Sequence, residues 1–439
     1  MNDREQKLLI VIISISALLR IVASLYLGNE VEILPGTHDQ ISYHNLSLRI
    51  LNGNGLTFGE FWWPATRAGE PTAHWSYLYL GYLTLVYKIF GVNPLAARLI
   101  QGTLVGLLQP FLVFLIGRRI FNHTVGLASA AITAIYGYFI YYAASLMTES
   151  FYFVAILFSI YLAIILTDRT LGDEQQLDFG ETLKWGAILG GTLLVIILLR
   201  QLFLLFIPFL FIWIWWRGGV RTIRPLLVSG LLLLVLIMPF TIYNYSRFNR
   251  FVLLNTNAGF AFFWGNHPVY GNHFEPILPS EMGSYQELIP EELLSLNEAA
   301  LDQELLKRGL QFIIDEPIRY LRLSLSRIPP YFIFWPSSAS SLVSNIVRVG
   351  SFGIMLPFVI YGLVMSFHCR KKPLSKQPLG LIYLYIAIYA AIHILTWTLV
   401  RYRLPIDAVL VVFAAYGIID LLIRIPKTRA WLDLSHQHM

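Results

Sequence analysis

Long uninterrupted apolar runs alternate with short polar segments along most of this chain. A helix of about 20 apolar residues is long enough to cross a ~30 Å hydrocarbon core. The pattern predicts ten such spans, at residues 7–27, 94–117, 124–142, 147–167, 184–200, 202–216, 225–244, 343–367, 378–398 and 405–423. The first run is too long for an ordinary signal-peptide core and lacks a clear cleavage site, so we interpret it as a retained anchor.

One further apolar run, Trp75–Phe90, is ambiguous because it would be only about 24 Å long as a helix. Its tyrosines and Lys88 suit the membrane interface better than the hydrocarbon centre. If it lies on the outer surface and the N-terminus is inside, all the main basic segments fall inside. These are "GRR" (117–119), "RGGVRTIR" (217–224), "RKKPLSK" (370–376) and "RIPKTR" (424–429). The positive-inside rule therefore favours ten spans with both termini cytoplasmic.

Composition supports a polytopic, all-α membrane protein. The chain is 56% hydrophobic and 13% charged, with a mean hydropathy of +0.62, whereas soluble domains are about 45–50% apolar and about 25% charged. The net charge of +6 comes largely from loops between spans, so we expect anionic membrane lipids rather than nucleic acid as the partner. The single cysteine, Cys369, excludes an internal disulfide and a cysteine-rich metal site.

The predicted threading places three polar regions outside: the loop 28–93, the turn 141–150 and the stretch 245–342. We divide the chain accordingly. Residues 1–244 form a transmembrane catalytic module that includes the first outer loop. Residues 245–342 form an extracytoplasmic segment with amphipathic helices, and residues 343–439 form the last spans and a short cytoplasmic tail. The expected location is the cell (inner) membrane.

Candidate chemistry converges on the outer boundary of these spans. Asp39 opens a predicted juxtamembrane helix, 39–51, and Glu149 lies at the start of the fourth span. Arg200 lies at the outer end of the fifth span, and Arg401 and Arg403 lie at the outer end of the ninth. A carboxylate can accept the proton of an attacking hydroxyl while guanidinium groups stabilise a departing phosphate. The residues therefore suit a reaction with an anionic leaving group.

Simpler interpretations exist for each of these residues. Asp39 is also a favoured helix N-cap, and Glu149 could simply be an acid that stabilises a helix N-terminus. The arginines could snorkel or anchor the chain at the interface. His38, His44 and His74 could be polar surface residues rather than ligands, since no His/Asp spacing here matches a known metal motif.

The order of these features resembles the GT-C membrane glycosyltransferases that use polyprenyl-phosphate sugars. The nearest branch resembles the dolichyl-phosphate-mannose–protein mannosyltransferases and the lipid A aminoarabinose transferases. The matching segments, in chain order, are "HDQISYHNLSLRILNGNGLTF", "GEPTAHWSYLYLGYLTLVYKIFG", "LMTES", "LLRQLFLLFIP", "PFTIYNYSRFNRFVLLNTNAGFAFFWGNHPVYG" and "RYRLPIDAVLVVFAAYGI". They cover most of the chain, which makes the resemblance more specific than any single motif.

The resemblance implies an inverting transfer of a sugar from a polyprenyl-phosphate donor to an acceptor hydroxyl on the extracytoplasmic face. It implies that Asp39 is the catalytic base and that Glu149 is an active-site carboxylate. It also implies phosphate contacts and further substrate contacts. The candidates for the phosphate are Arg200, Arg401 and Arg403, and those for the substrate are Tyr43, His74, Asn266 and His267. The acceptor could be a glycan, a lipid or a protein.

Two departures from the family pattern affect these expectations. Many relatives carry a second acid directly after the first, where this chain has Gln40. Gln40 makes a two-carboxylate metal site at this position less favourable. The sequence therefore leaves open whether a divalent metal ion is bound, and the residues that could hold it are Asp39 and Glu149. The large luminal module of the eukaryotic protein mannosyltransferases has no counterpart in this sequence. We therefore do not assume a protein acceptor.

Two other functions remain open from sequence alone. A transporter or lipid flippase would show internal repeats and ionisable residues near the bilayer midplane. A lipid-linked-glycan ligase or polymerase would use arginines and a histidine of a large outer loop. Arg200, His267 and His273 could serve that second role.

Overall fold

The computed structural model of the chain describes residues 2–34, 37–172, 177–338, 340–368 and 377–425. Within these ranges the backbone is almost entirely helical, and pairing of extended segments is limited to three isolated bridges. The basic segment predicted at 370–376, residues 426–429 of the last basic segment and Cys369 lie outside the described residues.

The helices of the described ranges follow one another with mostly short connections, except between α2 and α3 and between α11 and α12. They are α1 (Asp3–Leu27), α2 (Asp39–Leu51), α3 (Tyr77–Phe90), α4 (Pro94–Ile120), α5 (His123–Ile135), α6 (Gly137–Ala144), α7 (Glu149–Gly172), α8 (Phe179–Leu199), α9 (Ile207–Gly218), α10 (Ile223–Phe248), α11 (Ala258–Asn266), α12 (Glu298–Asp315), α13 (Pro317–Ser326), α14 (Ile328–Tyr331), α15 (Leu342–Arg348), α16 (Ile354–His368), α17 (Pro378–Leu395) and α18 (Val400–Arg424).

Eight helical stretches of the described chain are long and apolar enough to cross a membrane. They contain α1, α4, α7, α8, α10, α15 with α16, α17 and α18. A ninth candidate is the pair α5 and α6, which is bent by 54° at its break. The all-α polytopic fold predicted from the sequence is confirmed, with eight or nine membrane-length helices where ten spans were predicted.

The difference in number concerns the predicted span 202–216. This segment forms a 3-10 turn and then α9, which has only 12 residues and is therefore about 18 Å long. Its ends still reach opposite ends of the bundle. The Gln201 amide donates to the Asn255 carbonyl at one end, and Arg217 pairs with Asp168 at the other. The segment passes through the bundle although its helix is short.

The long polar segments 28–93 and 249–341 lie at one end of the bundle, which we call the cap end. The Arg98 guanidinium links two helix ends there. It donates to the carbonyl of Gly28 after α1 and to that of Ala144 at the end of α6. Helix α18 lies at the centre of the bundle, since 78% of the residues in its apolar stretch are buried. The residues at its start therefore face the middle of the cap end.

Helices α2 and α3 cover the cap end. The bounds of α2 agree with the predicted helix 39–51. Helix α3 has 14 residues, about 21 Å, and does not qualify as a span. The ring Nδ1 of His44 lies 2.8 Å from the hydroxyl of Tyr87, and the Ser76 hydroxyl donates to the Leu198 carbonyl over 2.7 Å. These contacts hold α3 across the ends of the spans.

A buried carboxylate joins the first polar loop to the segment around α12. Glu298 is 4% exposed and accepts hydrogen bonds from the backbone N–H of Ala73 (2.8 Å) and from the Thr66 hydroxyl (2.6 Å). The Thr256 hydroxyl donates to the same carboxylate. Three donors compensate the cost of burying this charge, so the two cap segments are fixed to each other.

Charged groups are also buried within the spans. Arg20, on α1, is fully buried and donates to the carbonyls of Thr133 and Ala134. Those carbonyls precede the break between α5 and α6, so the guanidinium binds backbone acceptors that the break leaves free.

Candidate active site

Two acids that are distant in sequence contact the same guanidinium at the cap end. Arg401 is in the first turn of α18, and its Nη1 lies 2.6 Å from Oδ2 of Asp39 and 3.7 Å from Oε1 of Glu149. The same nitrogen donates to the Thr37 hydroxyl over 3.1 Å. The structure therefore brings Asp39 and Glu149 together beside an arginine, as the sequence predicts.

Arg200 completes this group from the opposite side. It is the C-cap residue of α8, and its Nη2 donates to Oε1 of Glu149. Its Nε donates to the hydroxyl of Thr148 over 3.0 Å. The side chain of Glu149 is 1% exposed and lies at the first position of α7. The four side chains Asp39, Arg401, Glu149 and Arg200, which we call the site cluster, alternate in charge.

An aromatic ring lies beneath both arginines. The guanidinium carbons of Arg401 and Arg200 lie 5.3 Å and 5.7 Å from the ring centroid of Tyr402. A π-face attracts cations at this range. The ring of His393 stacks on the Tyr402 ring at 4.8 Å. The ring helps to hold two like charges close together.

Asp39 has no capping role, because the N-cap of α2 is His38 and the Asp39 carboxylate bonds to Arg401. Its side chain keeps 23% exposure, whereas Glu149 keeps 1%. Burial acts to raise the pKa of the Asp39 carboxyl, but the guanidiniums of Arg401 and Arg200 and the Thr37 hydroxyl outweigh it and hold this pKa below its usual value. Asp39 is thus held in its ionised form, and it is the more accessible acid of the two.

Tyr43 and His74 lie next to the site cluster. Tyr43 is one turn after Asp39 on α2, and its buried ring packs edge-on against Trp75 at 5.3 Å. The ring Nδ1 of His74 lies 3.0 Å from the carbonyl of Thr256. Burial lowers the pKa of His74, although the nearby carboxylates oppose the shift. Because the pKa is lowered, the ring is neutral near pH 7.

Arg403 lies in a separate, enclosed group. It is fully buried, and its Nε donates to Asp407 over 3.0 Å while its Nη1 donates to the carbonyl of Tyr331. The Tyr136 hydroxyl donates to the same Asp407 over 2.7 Å. The structure does not support the predicted phosphate contact at Arg403, because two residues along a helix correspond to a rotation of about 200° from Arg401. We call Arg403, Asp407 and Tyr136 the inner cluster.

The predicted substrate contacts Asn266 and His267 also lie elsewhere. The Asn266 side chain accepts from Arg327 over 2.9 Å, and the His267 ring packs against Phe263 at 5.1 Å. No contact within the described residues joins either of them to the site cluster. The arrangement of Arg200, His267 and His273 considered for a ligase is not formed, since His273 is an exposed neighbour of Glu275.

The described residues contain no group of three or more His, Cys, Asp or Glu side chains that could hold a metal ion. Asp39 and Glu149, the two predicted metal candidates, each bond to a guanidinium. Two carboxylates already paired with arginines are a poor donor set for a divalent ion. The observed site therefore does not fit a resident metal.

Sequence reasoning missed two residues that shape the site. Glu298 anchors the loop just before His74, and its partners Thr66 and Ala73 are 232 and 225 residues away, so no local pattern signals it. Tyr402 was hidden because the last span was predicted to begin at residue 405, whereas α18 begins at Val400. Helical phase would have separated Arg401 from Arg403 had that start been known.

Comparison with known proteins agrees with this architecture. The family model described as dolichyl-phosphate-mannose-protein mannosyltransferase matches residues 78–243. No curated protein sequence matches the chain. The family match covers α3 to α10 and includes Glu149 and Arg200, but neither Asp39 nor Arg401.

Solved structures of an archaeal oligosaccharyltransferase share the fold. The archaeal oligosaccharyltransferase AglB from Archaeoglobus fulgidus, in complex with an inhibitory peptide and a dolichol-phosphate, superposes with a TM-score of 0.60 at 15% identity. The alignment covers 100% of this chain and 52% of that one, and the apo form gives the same TM-score with 99% and 52% coverage. ArnT from Cupriavidus metallidurans bound to undecaprenyl phosphate gives 0.41 at 14% identity, over 95% of this chain and 80% of that one.

The chain thus spans about half the length of the archaeal structures that it matches. Its fold is of the GT-C type, and residues 78–243 match the mannosyltransferase family model, in agreement with the resemblance predicted from the sequence.

Proposed function

We propose that this protein transfers a sugar from a polyprenyl-phosphate donor to a hydroxyl of a glycan, lipid or protein acceptor, with inversion at the anomeric carbon. The observation that supports this most is the site cluster, in which an accessible carboxylate and two arginines meet at the end of a membrane bundle. The donor lies with its polyprenyl tail along the spans and its phosphate at the cap end. The protein lies in the cell (inner) membrane with the cap end on the extracytoplasmic side.

In the proposed reaction Asp39 is the general base. The acceptor oxygen forms a bond to the anomeric carbon while the bond from that carbon to the phosphate oxygen breaks. The hydroxyl proton passes to Asp39, and the electron pair of the broken bond leaves on the polyprenyl phosphate. A carboxylate of low pKa cannot ionise an alcohol beforehand, so proton transfer accompanies bond formation. Approach and departure on opposite faces of the sugar produce the inversion.

Arg401 and Arg200 are the proposed phosphate contacts. Both have guanidinium donors beyond those engaged by Asp39, Thr148 and Glu149. Charge-assisted hydrogen bonds to the leaving phosphate would stabilise the charge that grows as the bond breaks. Glu149 is too buried to receive the acceptor proton, so its proposed role is to position the two arginines. Arg403 has no part in this contact.

The proposal is tested with the purified full chain in nanodiscs that contain a synthetic polyprenyl-phosphate sugar. Membrane glycans from cells with and without the gene, compared by mass spectrometry, first identify the sugar and the acceptor. Transfer should then release polyprenyl phosphate and give a product of inverted anomeric configuration. A product of retained configuration would exclude the single displacement. Undiminished activity after EDTA treatment is expected, because the described residues present no cluster that fits a metal.

A further inference from the structure

A polar cleft lies at the cap end, in the segment 249–341 and away from the site cluster. It has a volume of about 620 Å³ and lies between α13 and the turn that follows α11. Its polar lining consists of two arginines, two acids and an amide. These residues are Arg319, Arg322, Asp315, Glu316 and Asn272. None of them takes part in the proposed transfer reaction.

The guanidinium of Arg319 lines this cleft and is not fully hydrogen-bonded. Its side chain is 10% exposed. One terminal nitrogen, Nη2, donates to the carbonyl of Asn266 over 3.1 Å, and Nε lies 3.3 Å from Glu316. The other terminal nitrogen, Nη1, is buried and has no hydrogen-bond partner. An unpaired buried donor on a cation is costly unless a ligand satisfies it, and a phosphate oxygen matches a guanidinium donor well.

An apolar stripe runs along the same helix as the cleft. Ile318, Leu321 and Leu325 recur at the spacing of one face of α13, and they are 61%, 55% and 56% exposed. Ile318 also lines the cleft, and Arg322 stands at the edge of the stripe. A short helix with an exposed apolar face and a basic edge is typical of a segment that lies in the membrane interface.

Helix α13 also sits at the level of a span end. The Tyr320 hydroxyl donates to the carbonyl of Leu395, the last residue of α17, over 3.0 Å. Arg327 donates to the preceding carbonyl, that of Ile394, over 3.1 Å. Since α17 is a membrane-length helix, these contacts place α13 beside the end of a candidate span.

We propose that this cleft binds the headgroup of a membrane phospholipid that carries both a phosphate and a primary amine, as in phosphatidylethanolamine. Arg319 and Arg322 bind the phosphate, and Asp315 and Glu316 bind the ammonium group. The acyl chains lie along Ile318, Leu321 and Leu325. A purely anionic headgroup would meet the two acids unfavourably, and a trimethylated amine could not donate hydrogen bonds to them.

The first test uses the full chain in nanodiscs with equal amounts of phosphatidylethanolamine, phosphatidylcholine and phosphatidylglycerol, followed by native mass spectrometry. Phosphatidylethanolamine should be retained about tenfold more than the others, as expected for one charge-assisted hydrogen bond. Arg322→Gln and Asp315→Asn, both exposed positions, should each reduce that preference. The matched control is Arg308→Gln on α12, which pairs with Glu292 outside the cleft and should leave it unchanged.

Three results would overturn the proposal. Equal retention of the three lipids would exclude a headgroup site, and preferential retention of phosphatidylglycerol would exclude the pairing of the amine with the acids. Loss of bound lipid upon addition of inorganic phosphate would assign the cleft to a soluble phosphate instead. Each result is independent of sugar transfer.

A second measurement examines the stripe directly. Cys369 is the only cysteine of the chain, so a Cys369→Ser background allows single labelling. A fluorophore at Leu325→Cys should be quenched by brominated acyl chains, whereas one at the exposed loop position Ser284→Cys should not. Equal quenching at the two positions would contradict contact between α13 and the bilayer.

Discussion

The site cluster and the inner cluster use the same chemistry on one helix and differ in their access to solvent. Arg401 bonds to acids brought from α2 and α7, and Asp39 keeps 23% exposure. Arg403 bonds to Asp407 one turn away on α18, and both are 0–1% exposed. Enclosed pairs of this kind fix a structure at a desolvation cost. An ion pair with an accessible carboxylate and spare donors can exchange partners, which a reaction requires.

The largest expected effect separates the two clusters by function. Asp39→Asn keeps the shape of the side chain but cannot act as a carboxylate base, so turnover of the folded protein should fall roughly 10²–10⁴-fold. Release of polyprenyl phosphate measures the rate. Glu60→Gln, an exposed position in the same loop, is the matched control. Near-normal turnover of Asp39→Asn would remove the general-base role.

The inner cluster should respond in the opposite way. Arg403→Leu leaves Asp407 as a buried charge without its partner, which typically costs about 3–5 kcal/mol. Replacing both residues by leucine should cost less than the single change. Thermal unfolding in detergent measures the difference, and activity per folded molecule should stay near normal. A selective loss of donor binding in folded Arg403→Leu would restore Arg403 as a phosphate contact.

Arg401→Lys sharpens the comparison within the site cluster. An ammonium group lacks the planar fork with which the guanidinium reaches Asp39, Thr37 and Glu149 together. We expect KM for the donor to rise on the order of tenfold, the value of one charge-assisted hydrogen bond. The same substitution at Arg403 should leave KM unchanged. Equal effects at both positions would contradict the division into two clusters.

The pKa of Asp39 gives a further prediction. Because Arg401 and its neighbours hold this pKa below its usual value of about 3.9, the folded state binds fewer protons than the unfolded one. Its contribution to stability is therefore present above pH ~4 and is lost as the pH falls through the lower folded value. Transfer should show no Asp39 titration between pH 5 and 8. In Arg401→Gln the acidic limb of the rate profile should move to higher pH.

The smallest expected effect concerns Asp302 on α12. Asp302 accepts hydrogen bonds from the N–H groups of Gly259 and Phe260, yet burial raises its pKa to about 7. The folded state then binds more protons than the unfolded one between pH ~4 and about 7, so stability should fall modestly as the pH rises through this window. Asp302→Asn should flatten that slope. An unchanged slope would mean that another group is responsible.

Much of the fold follows from local pattern, since apolar length identifies most spans and the polar start of α2 identifies helix 39–51. The broken pair α5 and α6 escaped prediction because no proline marks Tyr136, and Arg20, which binds the freed carbonyls, lies more than 110 residues away. In the site, the types of residue were predictable. Their pairing was not, because the contact between Asp39 and Arg401 spans 362 residues.

That separation has a consequence for biosynthesis. The loop that carries Asp39 is made early, but the residues that hold it, Glu298 and Arg401, emerge from the ribosome only after most of the spans have been inserted. Asp39 therefore lacks these partners during most of translation. A nascent chain released before α18 begins would contain the carboxylates and still lack the guanidinium that joins them.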